Sequence, residues 1–427
     1  MIQTIYFNEH DGFLEKLFDR NQFEFEEINN KVDKILKNVR VRKDKALKEY
    51  TLRFDGVELE NFLVSEEEIQ ASISNVDEAL KNDLMRAKEN IKKYHQKQLK
   101  KSYTLYEGEE VILGQLVNPI ERVGIYVPGG KAAYTSTVLM NAVPARIAGV
   151  KEIIMVTPPN QEGKIKDSII YAASIAGVDK IYKLGGAQAI AALAFGTESI
   201  QKVSKIVGPG NIYVAMAKKK VSGYVGIDMI AGPSEILIIA DELANPRYVA
   251  ADLISQAEHD EMAAAILVTD SEKLAKKVKE ELRFQVEKLE RKEIIKKSLR
   301  DYGCIIITNC LNDTVQVANE IAPEHLEILT KNPFDIYKMV KNAGAIFLGE
   351  FSPEPLGDYF AGTNHTLPTS GTAKFASPLC VDDFLKKTEL VYYSKEALLK
   401  SKDAIVRIAE DEGLSAHANA IKVRWED

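Results

Sequence analysis

From about residue 120 onward, short β-branched runs end in Gly/Pro turns, and each is followed by an amphipathic stretch of helical length. That alternation admits few folds, because parallel neighbouring strands need a long crossover and a helix is the usual one. Strands are expected at 123–127, 152–157, 180–184, 202–207, 235–240, 263–269, 304–308 and 343–348. Most are continuous apolar runs, as strands covered on both faces require. The pattern predicts an α/β protein with two open sheets. Asn245-Pro246 offers an N-cap and a first-turn proline for a helix running to about Asp260, and the border between the sheets is expected there, after the strand at 235–240.

The flanks read differently. Residues 1 to about 105 have helical patterning, with a capping box at Ser65-Glu66-Glu67-Glu68. The basic stretch Lys92 to Lys101 lacks aromatic interleaving beyond Tyr94 and reads as a solvated helix face. From about 383 the chain is expected to be helical again, ending in a tail with the only tryptophan, Trp425. The expected division is a helical region 1–105, α/β regions 106–240 and 241–382, and a helical tail 383–427.

Composition narrows the function classes. With 56 Lys+Arg against 63 Asp+Glu the net charge is −7, which gives no overall attraction for nucleic acid. Cys304, Cys310 and Cys380 have neither zinc-knuckle nor disulfide spacing, so a reducing compartment is expected. The opening MIQTIYFNEHDGFLEK lacks a basic start and an apolar core, and the longest apolar runs, such as Ala189 to Phe195, are too short to span a bilayer. A cytoplasmic protein without a membrane partner is expected.

Pro128-Gly129-Gly130, Gly185-Gly186-Ala187-Gln188 and Gly208-Pro209-Gly210-Asn211 follow expected strands, where backbone amides can approach a ligand at the carboxyl edge of a parallel sheet. Plain turn geometry explains each one equally well, and neither G-x-G-x-x-G nor G-x-x-x-x-G-K-[ST] occurs. Of the six histidines, His10 and His95 sit in polar helical sequence and read as solvated, whereas His259, His325, His365 and His417 lie in polar segments that invite a site. Gln256 and His259, three apart on a helix, can converge on one ion, with Asp358 and His417 as suitable further donors. An ordinary surface pair is the commoner meaning of that spacing. Glu324-His325, after Pro323 at the end of an expected helix, has the parts for two proton transfers, since an imidazole can deprotonate an alcohol and a carboxylate can activate water. A polar helix-end pair without a role is the alternative.

Taken together, these segments resemble the histidinol dehydrogenase family. The resemblance runs through Ala46-Leu47-Lys48-Glu49-Tyr50-Thr51, Arg53-Phe54-Asp55-Gly56, Tyr126-Val127-Pro128-Gly129-Gly130, Gly185-Gly186-Ala187-Gln188-Ala189-Ile190 and Gly208-Pro209-Gly210-Asn211. It continues in Ala231-Gly232-Pro233-Ser234-Glu235, Ser255-Gln256-Ala257-Glu258-His259, Ala322-Pro323-Glu324-His325-Leu326, Gly357-Asp358-Tyr359, Gly362-Thr363-Asn364-His365 and Glu412-Gly413-Leu414-Ser415-Ala416-His417. The resemblance implies two incomplete Rossmann-like sheets with helical additions, in an intertwined homodimer whose C-terminal tail serves the partner's site. It implies zinc on Gln256, His259, Asp358 and His417, with Glu324 and His325 as the catalytic pair. It implies L-histidinol contacts at Ser234, Gln256, His259, His325, Asp358, His365, Glu412 and His417, and NAD contacts at Tyr126, Gln188 and Asn211. The implied reaction is oxidation of L-histidinol through a bound aldehyde to L-histidine with two NAD, the last step of histidine biosynthesis. Competing classes are a zinc hydrolase, for which H-E-x-x-H is missing, a thiol-dependent aldehyde dehydrogenase, for which no cysteine has an activating context, and a non-catalytic relative, which intact Glu324, His325 and metal ligands oppose.

Overall fold

The structure, a computed structural model, describes residues 2–20, 26–129 and 134–426; Gly130 lies outside them. Its strands in chain order are β1 (Gln3–Tyr6), β2 (Tyr103–Glu107), β3 (Val111–Pro119), β4 (Arg122–Tyr126), β5 (Glu152–Thr157), β6 (Lys180–Lys183) and β7 (Lys205–Val207). They continue as β8 (Gly226–Ile227), β9 (Glu235–Ala240), β10 (Ala264–Thr269), β11 (Cys304–Ile307), β12 (His325–Leu329), β13 (Ala345–Leu348) and β14 (Leu385–Tyr393). The chain divides into two compact units, one of Met1–Gln98 and Ile120–Phe384, the other of Leu99–Pro119 and Leu385–Asp427.

The larger unit holds two parallel sheets, ordered β6-β5-β4-β7-β8 and β1-β11-β10-β9-β12-β13. Counted from β4 in the first and β9 in the second, both read 3-2-1-4-5, with β1 added at one edge of the second. Strand periodicity sorts the second sheet's core. Ile236, Ile238, Ala265, Leu267 and Ile305 pack on one face, and Leu237, Ile239, Ile266, Val268, Ile306, Leu326 and Ile328 on the other. Each such buried Ile or Leu contributes roughly 1.5–3 kcal/mol. In the first sheet, the alanine-rich helix Gly186–Phe195 lies close on β4, because a Cβ at Gly124 would stand 2.9 Å from Leu193 Cδ1.

Several expectations need correction. The strand 235–240 pairs with β10 and β12, so the switch between sheets precedes it. Its apolar run Ile236 to Ala240 fits a central strand of either sheet, and only pairing decides. The N-terminal region contains β1 besides its helices, and the helix expected to reach Asp260 spans Pro246–Ala257, leaving His259 beyond its end. The segment 385–393 is a strand, not a helix. The expected solvated histidines are buried. His95 continues the stripe Ala87, Ile91, His95 at i, i+4 and donates from Nδ1 to Ile91 O (2.8 Å), and His10 Nε2 lies 2.8 Å from Glu320. The capping box is formed, with Glu68 N donating to Ser65 Oγ and Ser65 N to Glu68 Oε2.

The smaller unit is an antiparallel sheet, β14-β3-β2, with helices Lys395–Asp411 and Ser415–Lys422. Leu105, Tyr106, Val391 and Tyr392 are exposed on its strands. Among the described residues, no helix is long and apolar enough to cross a membrane.

Beyond β7 the chain turns at Gly208 (φ +107), where a Cβ would come within 2.2 Å of Tyr126 O. A buried ion pair clamps this turn. Asp228 Oδ2 accepts from Gly208 N (2.8 Å), Lys218 Nζ donates to Gly208 O (2.9 Å), and the two side chains meet at 2.5 Å. Lys218→Met strands the Asp228 charge, at a cost of roughly 3–5 kcal/mol. The expected outcome is a lower urea midpoint by circular dichroism, and an unchanged midpoint contradicts the clamp.

Candidate active site

The helix Leu311–Ile321 ends at Ala322 in the left-handed region (φ 50), Pro323 cannot continue it, and β12 begins at His325. Glu324-His325 is therefore a strand entrance, not the helix end that Pro323 suggested. His325 stands opposite Ile236 of β9, so the pair lies at the amino edge of the six-stranded sheet. Both side chains are buried, and both are held by the main chain of one residue. Glu235 N donates to Glu324 Oε2 at 2.9 Å, and His325 Nδ1 donates to Glu235 O at 3.0 Å. In the neutral ring that second bond places the proton on Nδ1 and leaves Nε2, which has no hydrogen-bond partner, facing the site.

Burial pushes the Glu324 carboxyl up to about 7, against the pull of His325. Burial alone would lower His325, but Glu324, Asp358 and Glu354 outweigh it and raise it to about 10. The short helix Glu354–Tyr359 brings Glu354 and Asp358 to one face at i, i+4. His325 Nε2 is 4.0 Å from Glu354 and 3.8 Å from Asp358, and these three residues form a cluster able to hold a metal ion. Burial would raise Asp358, yet the adjacent His325 and His365 imidazoles hold it at about 2, while burial and Asp358 push Glu354 to about 8.

His365 donates from Nδ1 to Asp358 O (3.1 Å) and meets Thr137 Oγ1 at 3.2 Å. Gln256 is fully buried with both amide atoms unpartnered, an arrangement that calls for a ligand. His259 has solvent-accessible surface, but the protein around it desolvates the ring and lowers its pKa, opposed by Asp358. Ser234 is half-buried immediately before Glu235. Glu412 and His417 are exposed on the smaller unit.

A row of acids behind this cluster escaped the sequence reading. Glu327, two residues past His325, is fully buried; its Oε1 accepts from Glu354 N (2.7 Å), and it hydrogen bonds Asp252. Burial raises both, Asp252 to about 6 and Glu327 well above the usual range, so the two carboxyls share a proton. The available signal was an acid inside the apolar run Leu326 to Leu329.

The other residues expected at a ligand lie at the carboxyl edge of the five-stranded sheet. Tyr126 ends β4 and accepts at its hydroxyl from Gly186 N (3.1 Å); Gln188 is buried with both amide atoms unpartnered; Asn211 caps the helix Ile212–Val221, its Oδ1 accepting from Tyr213 N and Val214 N. The half-buried Asp55 also reaches this corner, raised by desolvation to about 6 and adding its charge to the burial that pushes Tyr126 up to about 12. Cys304, inside β11, is pushed up by burial to about 12, unsuited to a thiolate role.

A sequence profile of histidinol dehydrogenase matches residues 18–425. The chain is 57% identical over 415 residues to a histidinol dehydrogenase of Clostridium acetobutylicum, covering 97% of this chain and 96% of that one. It is 55% identical over 402 residues to one of Bacillus cereus, covering 94% of each. The crystal structure of histidinol dehydrogenase from Elizabethkingia anophelis matches with a TM-score of 0.93 and 40% identity, covering 99% of this chain and 98% of that chain.

The acid row has a pH signature. Because Asp252 keeps its proton to about 6 when folded but ionises near 3.8 when unfolded, wild-type stability falls as pH rises through that window. Asp252→Asn cannot ionise, so its stability relative to wild type is expected to rise by about 1–3 kcal/mol between those limits. Denaturation midpoints from pH 3.5 to 7 measure it, and a constant difference contradicts the shared proton.

Proposed function

Because the chain belongs to the histidinol dehydrogenase family, we propose that it oxidises L-histidinol through bound L-histidinaldehyde to L-histidine with two NAD. The observation that carries this reading is the buried Glu324–His325 pair, cross-braced by one residue's main chain, with His325 clustered with Glu354 and Asp358. Gln256, His259 and Asp358, with the partner subunit's His417, would hold zinc. The donors suit it: one carboxylate, two imidazoles and an amide whose buried atoms lack partners. When bound, zinc orients the substrate's imidazole and amino nitrogens and sets positive charge against the carboxylate field on His325, without redox change, while NAD accepts the hydrides.

The chain's own groups move the protons. His325 Nε2 takes the hydroxyl proton as the alcohol carbon loses hydride, giving the aldehyde. Glu324, raised to about 7, is poised at neutral pH to accept a proton from water adding to the aldehyde, and the hydrate loses the second hydride. His365 and Ser234 line the substrate's position, and Glu412 of the partner subunit completes it. Tyr126, Gln188 and Asn211 contact NAD, beside the point where the strand order reverses between β4 and β7.

The shared order 3-2-1-4-5 supports two incomplete Rossmann-like domains, the first ending before β9. The helical N-terminal region braces them, and the smaller unit's C-terminal segment reaches the partner. The exposed apolar residues Leu105, Tyr106, Val391 and Tyr392 support an intertwined homodimer. The net charge of −7 gives no overall attraction for nucleic acid, and we place the enzyme in the cytoplasm without a membrane partner.

Two outcomes test the reading. Purified protein with L-histidinol and NAD is expected to yield two NADH per histidine, and one NADH with free aldehyde accumulating contradicts it. Mixed after subunit exchange, inactive His417→Ala and His259→Ala proteins should regain up to about a quarter of wild-type activity, since half the dimers are hybrids and each hybrid has one intact site. No recovery despite demonstrated exchange means that each subunit builds its own site.

A further inference from the structure

We propose that Arg20 and Glu235 are positioning residues for the Glu324–His325 pair, their buried ion pair fixing the direction of the Glu235 main chain that holds both catalytic side chains. Arg20 follows the helix His10–Asp19, more than two hundred residues from the site in sequence, yet its side chain is fully buried against the Glu235 carboxylate. Its Nη1 donates to Met262 O at 2.6 Å, and its guanidinium lies 5.6 Å from the Tyr302 ring centre. The same Glu235 Oε1 accepts from Ser370 N at 3.2 Å, and Ser370 is held at φ 62 although it is not glycine. The Glu235 carboxylate is thus gripped from two distant segments.

What the grip controls is local. On its C-terminal side Glu235 enters β9, whose pairing with β10 and β12 fixes the chain. On its N-terminal side lies the turn Gly232-Pro233-Ser234, tied by Gly232 N to Thr369 Oγ1 at 2.7 Å. The two bonds to Glu324 and His325 leave from the N–H and the C=O of Glu235, on either side of one Cα. A rotation at that Cα therefore moves the carboxylate and the imidazole together, and the anchored side chain on the same Cα resists it. Stability alone gives a weak reason for the pair, because replacing a buried ion pair by apolar groups of similar volume is often neutral or stabilising. Direction is a stronger one, since a misplacement of about 1 Å can cost about a hundredfold in rate.

The proposal rests on the dehydrogenase reading, and the experiment separates the two. Steady-state kinetics with L-histidinol and NAD are measured on zinc-loaded protein, per folded site, for Arg20→Met, Arg20→Lys, Glu235→Gln and the double variant Arg20→Met with Glu235→Met. Thermal melting is recorded for each. Expected is a kcat lowered about 10- to 100-fold in Arg20→Met and in the double variant, with the histidinol KM within about threefold of wild type. Arg20→Lys, which keeps the charge, should recover part of the loss. Glu235→Gln keeps the shape and an acceptor for Arg20, and should fold with a smaller loss of kcat. The double variant leaves no unpaired charge, so it should melt near wild type and still be slow. Wild-type kcat in the double variant and in Glu235→Gln, with only melting temperatures changed, overturns the proposal. Wild-type protein that fails to oxidise histidinol overturns the reading beneath it instead.

Discussion

The bonds from Glu235 to Glu324 and His325 tie the chemistry to the centre of the six-stranded sheet. β9 is the strand from which that sheet's order counts outward, and β12 beside it starts at His325. The proposed catalytic pair therefore sits where two central parallel strands begin, at the amino edge. Tyr126, Gln188 and Asn211, the residues proposed to contact NAD, lie at the carboxyl edge of the other sheet, and the contact of His365 with Thr137 links the two α/β halves. In both sheets a buried ion pair steadies main chain beside the proposed site: Arg20 with Glu235 in one, Lys218 with Asp228 in the other.

Electrostatics explains why the site tolerates so many acids. Glu324, Asp358 and Glu354 crowd against the buried His325 imidazole, with Glu327 and Asp252 behind Glu354. Desolvation opposes every charge, and like-charge repulsion leaves Glu354 and the Asp252–Glu327 pair protonated into a range where free carboxyls are ionised. Only Asp358, facing His325 and His365, is held firmly anionic. That pattern gives a cation one strong carboxylate ligand and leaves a row of neutral hydrogen-bonded acids behind it.

The βα alternation was legible because β5, β9, β10 and β11 are continuous apolar runs, which only a sheet covered on both faces needs. β12 was hidden by Glu327, whose charge interrupts the run although the folded chain neutralises it. β14 was hidden because Lys386, Lys387 and Glu389 are polar; antiparallel pairing with β3 makes it a strand, and such long-range pairing has no local signature. Of the site, the histidines and their acidic neighbours stood out in polar segments. Arg20 did not, since a lone arginine after a helix carries no sign of the residue it will meet. His10 and His95 looked solvated for the same reason: their acceptors, Glu320 for one and the preceding helical turn for the other, appear only once the chain is packed.

The account's central claim is that one imidazole and one carboxylate, held by the same residue, serve different halves of the reaction. Rapid-quench measurement of each oxidation separately, with histidinol and with histidinaldehyde as substrate, tests it in Glu324→Gln. The prediction is a loss of at least about a hundredfold in aldehyde oxidation, within the usual range for removing a general base, while alcohol oxidation stays within about tenfold of wild type. Equal loss in both halves would contradict it.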